Sequence, residues 1–404
     1  MKNNMKSSLW INHNFMFIWF GNILYNFGFQ IYIISLPLFI NHSTGSALAM
    51  STIRAIDILP SILAGIFGGV IIDRVNRKKM MILTTLIQFL VLLSIIALVF
   101  MNEVEVWQLY ILVFFLSLGG YTFWSSHTSA LPQILTKEQL MDANSIISLT
   151  STLITMIAPG FAGFIIASYS YITSLSIFLF CLLGVLVFTL FVKIPDQRVN
   201  SHKERNSFWN DLKEGFYVLY SEKYIMTPTI AILIKNFANS LIIGIILFYA
   251  ANGLGANEKQ IGLIFSIAAL GGLISSLVTP RLRKFLPRGK IFLHSILIDV
   301  IGMIGVTLSS NWWMMAISFF IRSSGVTMSN IVYSTIRQEV TPNHLLGRVA
   351  GTSSMLMKLT MPLGLLVSGI WAEFLPIKYL FVIATVVIAT LYLALRKHSF
   401  VKVN

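Results

Sequence analysis

The sequence of 404 residues predicts an all-α polytopic membrane protein, with twelve transmembrane helices in two pseudo-symmetric six-helix bundles. Three observations carry this. Hydrophobic residues make up 56% of the chain and charged residues 11%, with a mean hydropathy of +0.80, whereas about a quarter of a soluble domain is charged. Apolar runs of the length that crosses a bilayer, about 20 residues, recur twelve times. The basic residues, finally, crowd onto alternate connections, as orientation in a membrane requires.

The polar start, MKNNMKSSLWINHNF, enters the first apolar run without a small-residue cleavage site, so a retained cytoplasmic tail is expected. The spans follow at 15–40, 48–72, 80–101, 107–126, 144–168 and 172–193, then at 225–251, 260–280, 291–309, 312–335, 349–375 and 378–395. Nearly all connections are short, which makes successive helices antiparallel neighbours. The long polar exception divides the chain into an N-terminal bundle (1–193), a central cytoplasmic loop (194–224) and a C-terminal bundle (225–404). From Phe208 to Tyr220 that loop has apolar residues at helical intervals, suited to a membrane surface.

With both termini in the cytoplasm, 23 of the 29 Lys and Arg lie on cytoplasmic segments, and the outer loops hold only Lys259 and Lys378. The other four, Arg54, Lys235, Arg322 and Lys358, fall inside spans. The net charge of +14 is therefore a positive-inside signal and not a nucleic-acid footprint. A single cysteine, Cys181, excludes an internal disulfide, and no Cys/His cluster has metal-site spacing, so neither metal nor cofactor is expected.

The two halves echo each other. At a constant offset of 205 residues, Ser129, Gln133, Thr136 and Leu140 match Ser334, Gln338, Thr341 and Leu345, in the loops after spans four and ten. A duplicated six-helix unit places its ligand site near the midplane, between the halves.

Span two ends in GGVIIDRVNRKKMM, with Gly69 and Asp73 four apart on one helix face and Arg74, Arg77, Lys78 and Lys79 following. This resembles the signature G-x-x-x-D-[RK]-x-G-[RK]-[RK] of the major facilitator superfamily, with Asn76 in place of the second glycine. Span five, TMIAPGFAGF, is similar to a loosened form of that superfamily's antiporter motif, with Pro159, Gly160 and Gly163 kept and Ala158 and Ala162 in place of glycines. The runs ALPQILTKEQLMDANS and VTPNHLLGRVAGTSSMLMKL look most like the macrolide-efflux and siderophore-exporter branch. The resemblance implies the major facilitator fold and a gating role for Gly69, Asp73, Arg74, Arg77, Pro159 and Gly163. It also implies proton-driven export of a small amphiphilic molecule from a monomer in the bacterial plasma membrane, with protons, substrate and membrane lipid as partners and no nucleic acid.

Ionisable residues within spans are costly and point to function. Arg54 and Asp57 are three apart and can pair on one face. Asp57 lies ~24 Å from the cytoplasmic end of its helix at ~1.5 Å per residue, and together with Arg54 it is the first candidate for proton coupling. Asp299 in span nine is the second, on a helix that the resemblance puts at the periphery. Polar stripes at Asn22, Asn26 and Gln30 (span one), Lys235 and Asn239 (span seven), and Arg322 and Tyr333 (span ten) must turn away from lipid. The resemblance makes these cavity-lining helices, hence candidate substrate contacts. If Lys235, Arg322 and Lys358 face the cavity they favour an anionic or zwitterionic substrate; alternatively they pair with Asp299.

An ATP-driven pump lacks its phosphate loop here. An enzyme is disfavoured because His294 and Asp299, the one suggestive pair, stand ~140° apart on a helix. A lysolipid translocator, an importer or a non-transporting sensor on the same scaffold remain alternatives.

Overall fold

Hydrocarbon offers no partner to a backbone N–H or C=O, so each apolar run must satisfy its own as a helix. In the computed structural model the described residues are 9–72, 76–101, 104–194, 208–342 and 345–402, with side chains left out at 63–72, 137–138, 208–212 and 402. The first six crossings are α1 (His13–Thr44), α2 (Ala47–Ile72), α3 (Arg77–Met101), α4 (Val106–Ile134), α5 (Lys137–Ser168) and α6 (Tyr171–Phe191). A connecting helix, α7 (Phe208–Ser221), precedes the seventh crossing, which consists of α8 (Lys223–Ile243), the short α9 (Ile246–Phe248) and a π turn at Tyr249–Gly253. Then follow α10 (Glu258–Leu282), α11 (Arg288–Leu308) and α12 (Trp312–Val340). The eleventh crossing is α13 (Leu346–Lys358) with α14 (Met361–Phe374), and α15 (Ile377–Arg396) is the last. No strand occurs among the described residues.

Ten of these crossings are long and apolar enough to span a membrane by composition alone; α2 and α12 complete the twelve. An even number of crossings leaves both termini at one end of the molecule, called proximal here; the other end is distal.

Within the first half α1 packs on α5 and α6, α2 on α4, and α3 on α4 and α6. Within the second, α10 and α11 flank α12, while α8 packs on α14 and α15. The halves meet along α5–α10 and α2–α14. Close-approach glycines lie on both seams, Gly163 and Gly262 on the first and Gly369 on the second.

Helix ends differ from the hydropathy runs because helices continue past the apolar zone. α4 runs on to Ile134, and α5 starts at Lys137, where Thr136 caps it and Gln139 returns a bond to the cap. Spans seven and eleven, each expected as one helix, are broken. The two crossings pack closely past their breaks: a Cβ at Gly244 would strike Ser368 and Leu365, one at Gly364 would strike Ser240, and Thr360 at the break of span eleven donates to the Leu233 carbonyl of α8. The helix expected in the central loop is present, but it is docked. Gly215 lets α7 lie against Thr352 and the Arg348 carbonyl of α13, and Glu214 pairs with Arg348.

Candidate functional site

Three polar regions lie in the membrane interior. The first is a cavity of ≈ 220 Å³ shared by both halves, with Gln30 of α1, Arg54 of α2, Thr155 and Pro159 of α5, Phe265 of α10 and Ser323 of α12 on its walls. Prolines shape it. Pro37 has no N–H to give the Ile33 carbonyl, and an Nη of Arg54 approaches that oxygen at 3.4 Å. Pro159 likewise leaves the Thr155 carbonyl without its intrahelical partner.

The second region is a cavity of ≈ 210 Å³ between α1 and α4, bounded by Tyr25, Asn26, Phe29, Ser117, Tyr121 and Trp124. Tyr25 stacks on Phe123, with centroids 4.8 Å apart, and donates to Gln88 Oε1 at 3.1 Å. Gly120 makes room for that hydroxyl. Behind this cavity Asp57 accepts a hydrogen bond from Ser117 Oγ. The expected Arg54–Asp57 pair does not form: the carboxylate turns to α4 and the guanidinium to α1.

The third region is a buried ion cluster in the second half. Asp299 has no exposed surface, and it faces Lys235 Nζ at 3.2 Å and Arg322 Nε at 3.6 Å. Arg322 also donates to Asn239 Oδ1 (2.7 Å) and lies over the Phe319 ring, while Lys235 donates to Ser329 Oγ (2.9 Å). Two glycines make this possible. A Cβ at Gly302 would come within 2.7 Å of the Arg322 backbone N, and one at Gly325 within 2.5 Å of the Ser295 carbonyl. α11 and α12 therefore touch backbone to backbone, which carries Asp299 inward from a helix whose other face, at Ile301 and Leu308, is exposed.

The expected substrate residues thus divide. Gln30 lines the shared cavity and Asn26 the α1–α4 cavity. Asn22 is fully buried and accepts from Asn26 Nδ2 at 3.1 Å. Lys235, Asn239 and Arg322 belong to the ion cluster, and Tyr333 is bolted to Thr229 (2.9 Å) inside the second half. Of the expected gating residues, Asp73 and Arg74 lie outside the described residues, as do the surroundings of Gly69. Arg77 opens α3.

Pro159 and Gly163 sit on the seam between the halves. A Cβ on Gly262 of α10 would overlap the Pro159 carbonyl, and one on Gly163 the Glu258 carbonyl; the Gly160 amide donates across the seam to Ser266 Oγ at 3.0 Å. The seam continues at the distal end. Glu373 of α14 accepts from Ser46 Oγ (2.8 Å) and the Leu48 amide (3.2 Å) at the start of α2, and Asn252 donates to Asn41 (2.9 Å). Gly262 and Gly369, whose Cβ would strike Ser51 and Leu48 of α2, carry no motif signal, because each matters only through a partner in the other half.

A family model described as a transmembrane secretion effector matches residues 8–403. Among curated relatives, macrolide efflux protein A of Streptococcus pyogenes is 25% identical over 385 residues, covering 92% of each chain. The multidrug efflux pump Tap of Mycolicibacterium fortuitum is 21% identical over 369 residues, covering 89% of each. Among solved structures, the nucleoside transporter NupG aligns with a TM-score of 0.75 at 12% identity, over 96% of this chain and 100% of that one. A bacterial homologue of the iron transporter ferroportin, in an inward-facing state, aligns with a TM-score of 0.72 at 17% identity, over 96% and 98%. These likenesses describe the fold.

Proposed function

This chain belongs to the transmembrane secretion effector family of the major facilitator superfamily, and on that premise we propose that it exports a small amphiphilic compound by proton antiport with alternating access. The observation that carries this reading is the cavity shared by the two halves beneath a sealed distal seam. A binding site between two repeats, closed on one side by contacts that both repeats contribute, is what rocking of one repeat against the other requires. Relatives named as macrolide and multidrug efflux proteins support the outward direction.

Residues 1–193 and 225–404 are the two moving bodies, and 194–224 is their tether. The proximal end faces the cytoplasm, because 23 basic residues lie on that side and two on the other. Asp57 is the first proton carrier: its partner is a neutral hydroxyl and not a fixed cation, so protonation need not break an ion pair. Asp299, locked between two cations, is the second carboxylate of the same system.

The test is transport in proteoliposomes under an imposed pH gradient, with a panel of dansylated amphiphiles. Wild type accumulates at least one probe against its gradient while protons run the other way, and Asp57→Asn abolishes that accumulation. Accumulation by Asp57→Asn equal to wild type removes Asp57 from the mechanism, and indifference of wild type to either sign of gradient overturns antiport.

A further inference from the structure

Four basic residues lie inside the spans, and the structure separates them by what they meet. Lys235 and Arg322 both face Asp299 and are satisfied further by Ser329 and Asn239. Lys358, on α13, is not among the residues that line the shared cavity. Arg54 is the cation that lines it. No ion pair joins Arg54 to a carboxylate among the described residues, since Asp57, one turn further on, is taken by Ser117.

A guanidinium has five N–H donors in a planar fork matched to a carboxylate. One of them leans on the Ile33 carbonyl that Pro37 frees, a contact that orients the side chain and leaves most of the fork unused. Gln30, Thr155 and Ser323 supply neutral hydrogen-bonding groups around the same space, and Phe265 supplies an apolar wall. An unpaired cation away from water is costly unless something neutralises it. Arg54 is half-buried, and the Asp57 carboxylate one turn on is near enough to be felt without forming an ion pair, so the guanidinium keeps most of its fork open to a carboxylate from outside the chain.

We infer that Arg54 is the headgroup receptor of the central cavity, and that the transported class is an amphiphile bearing a carboxylate-type monoanion. The inference rests on the export reading for the word "transported", but the charge preference stands on the cavity alone. It moves substrate charge selection from the second-half cations, which are internally paired, to a single residue of α2. The cavity has room for a headgroup and a short stem, with the remaining apolar tail directed between the halves.

Three dansyl probes sharing one undecyl chain and ending in a carboxylate, a methyl ester or a trimethylammonium test this. Binding is measured by dansyl fluorescence on the full chain in nanodiscs, with empty nanodiscs as the partition control. Wild type is expected to bind the carboxylate at least about tenfold tighter than the other two, the scale of one charge-assisted contact. Arg54→Gln should lose that advantage while holding the ester within about twofold, which also shows that the variant is folded; Arg54→Lys should keep part of it. Equal or tighter binding of the trimethylammonium probe by wild type would overturn the assignment, as would an Arg54→Gln variant that weakens all three probes alike. The same probes in pH-gradient proteoliposomes separate the two claims. A carboxylate preference without gradient-driven accumulation supports the Arg54 site and counts against export alone.

Discussion

Asp299 shows how a single side chain can organise half of a membrane protein. Two buried cations converge on this one buried carboxylate, so the formal charge of the cluster is one positive unit. Removing one partner of a buried ion pair leaves the other uncompensated, at a cost of about 3–5 kcal/mol. Asp299→Asn, which strands two cations, is expected to lower the Tm of the purified protein sharply, read by size-exclusion after heating. The double variant Asp299→Leu with Lys235→Met should recover part of that loss, since it removes charge of both signs. A single variant as stable as wild type would show that the cluster is hydrated and contributes little. Lys235 and Arg322 were legible in the sequence, because charge inside an apolar run stands out. Their pairing with Asp299 was one of two alternatives the sequence left open; the choice between them depends on Gly302 and Gly325 bringing two helix backbones together, and small residues are common in spans for many reasons.

At the scale of elements, the α5–α10 seam brings the two halves together backbone to backbone near the distal end. Pro159 and Gly163 were readable as a bend and a place for close approach, but Gly262, which meets them, lies on a helix of the other half. Adding a methyl at Gly262 sets it against the Pro159 backbone carbonyl, where no side chain can rotate away. Gly262→Ala should therefore spread the seam. In a Cys181→Ser background, a cysteine placed at the cavity residue Ala269 should then react faster with an impermeant maleimide added from the distal side; an unchanged rate would show that the seam has slack. The break in span seven escaped the sequence reading, since it carries no proline and its shape comes from packing at Gly244; the break in span eleven has a local cause, Pro362 in the first turn of α14, which has no N–H to give the Lys358 carbonyl. The helical period of α7 was legible. Its docking on α13 through Gly215 and Glu214 was not, because that contact joins residues more than a hundred positions apart.

For the molecule as a whole, the twelve crossings and their order were nearly complete in the sequence, because the hydrocarbon thickness demands runs of a set length and the connections are short. The charge asymmetry adds an orientation. With Cys181 replaced, an impermeant maleimide on intact cells should label Ser43→Cys in the α1–α2 region and spare Met141→Cys at the start of α5, both positions being exposed; labelling in the reverse pattern would invert the topology. The motion between states is the central claim, and it can be followed without knowing the substrate. Spin labels at Ser43 and Lys378 report on the distal end, and labels at Met141 and Phe285 on the proximal end; all four residues are exposed. Double electron–electron resonance on both pairs across a pH titration tests proton-linked alternating access most directly. The expected result is that the distal and proximal distances shift in opposite directions as pH changes, and that Asp57→Asn suppresses the shift. Distances that stay fixed, or that rise and fall together, would contradict it.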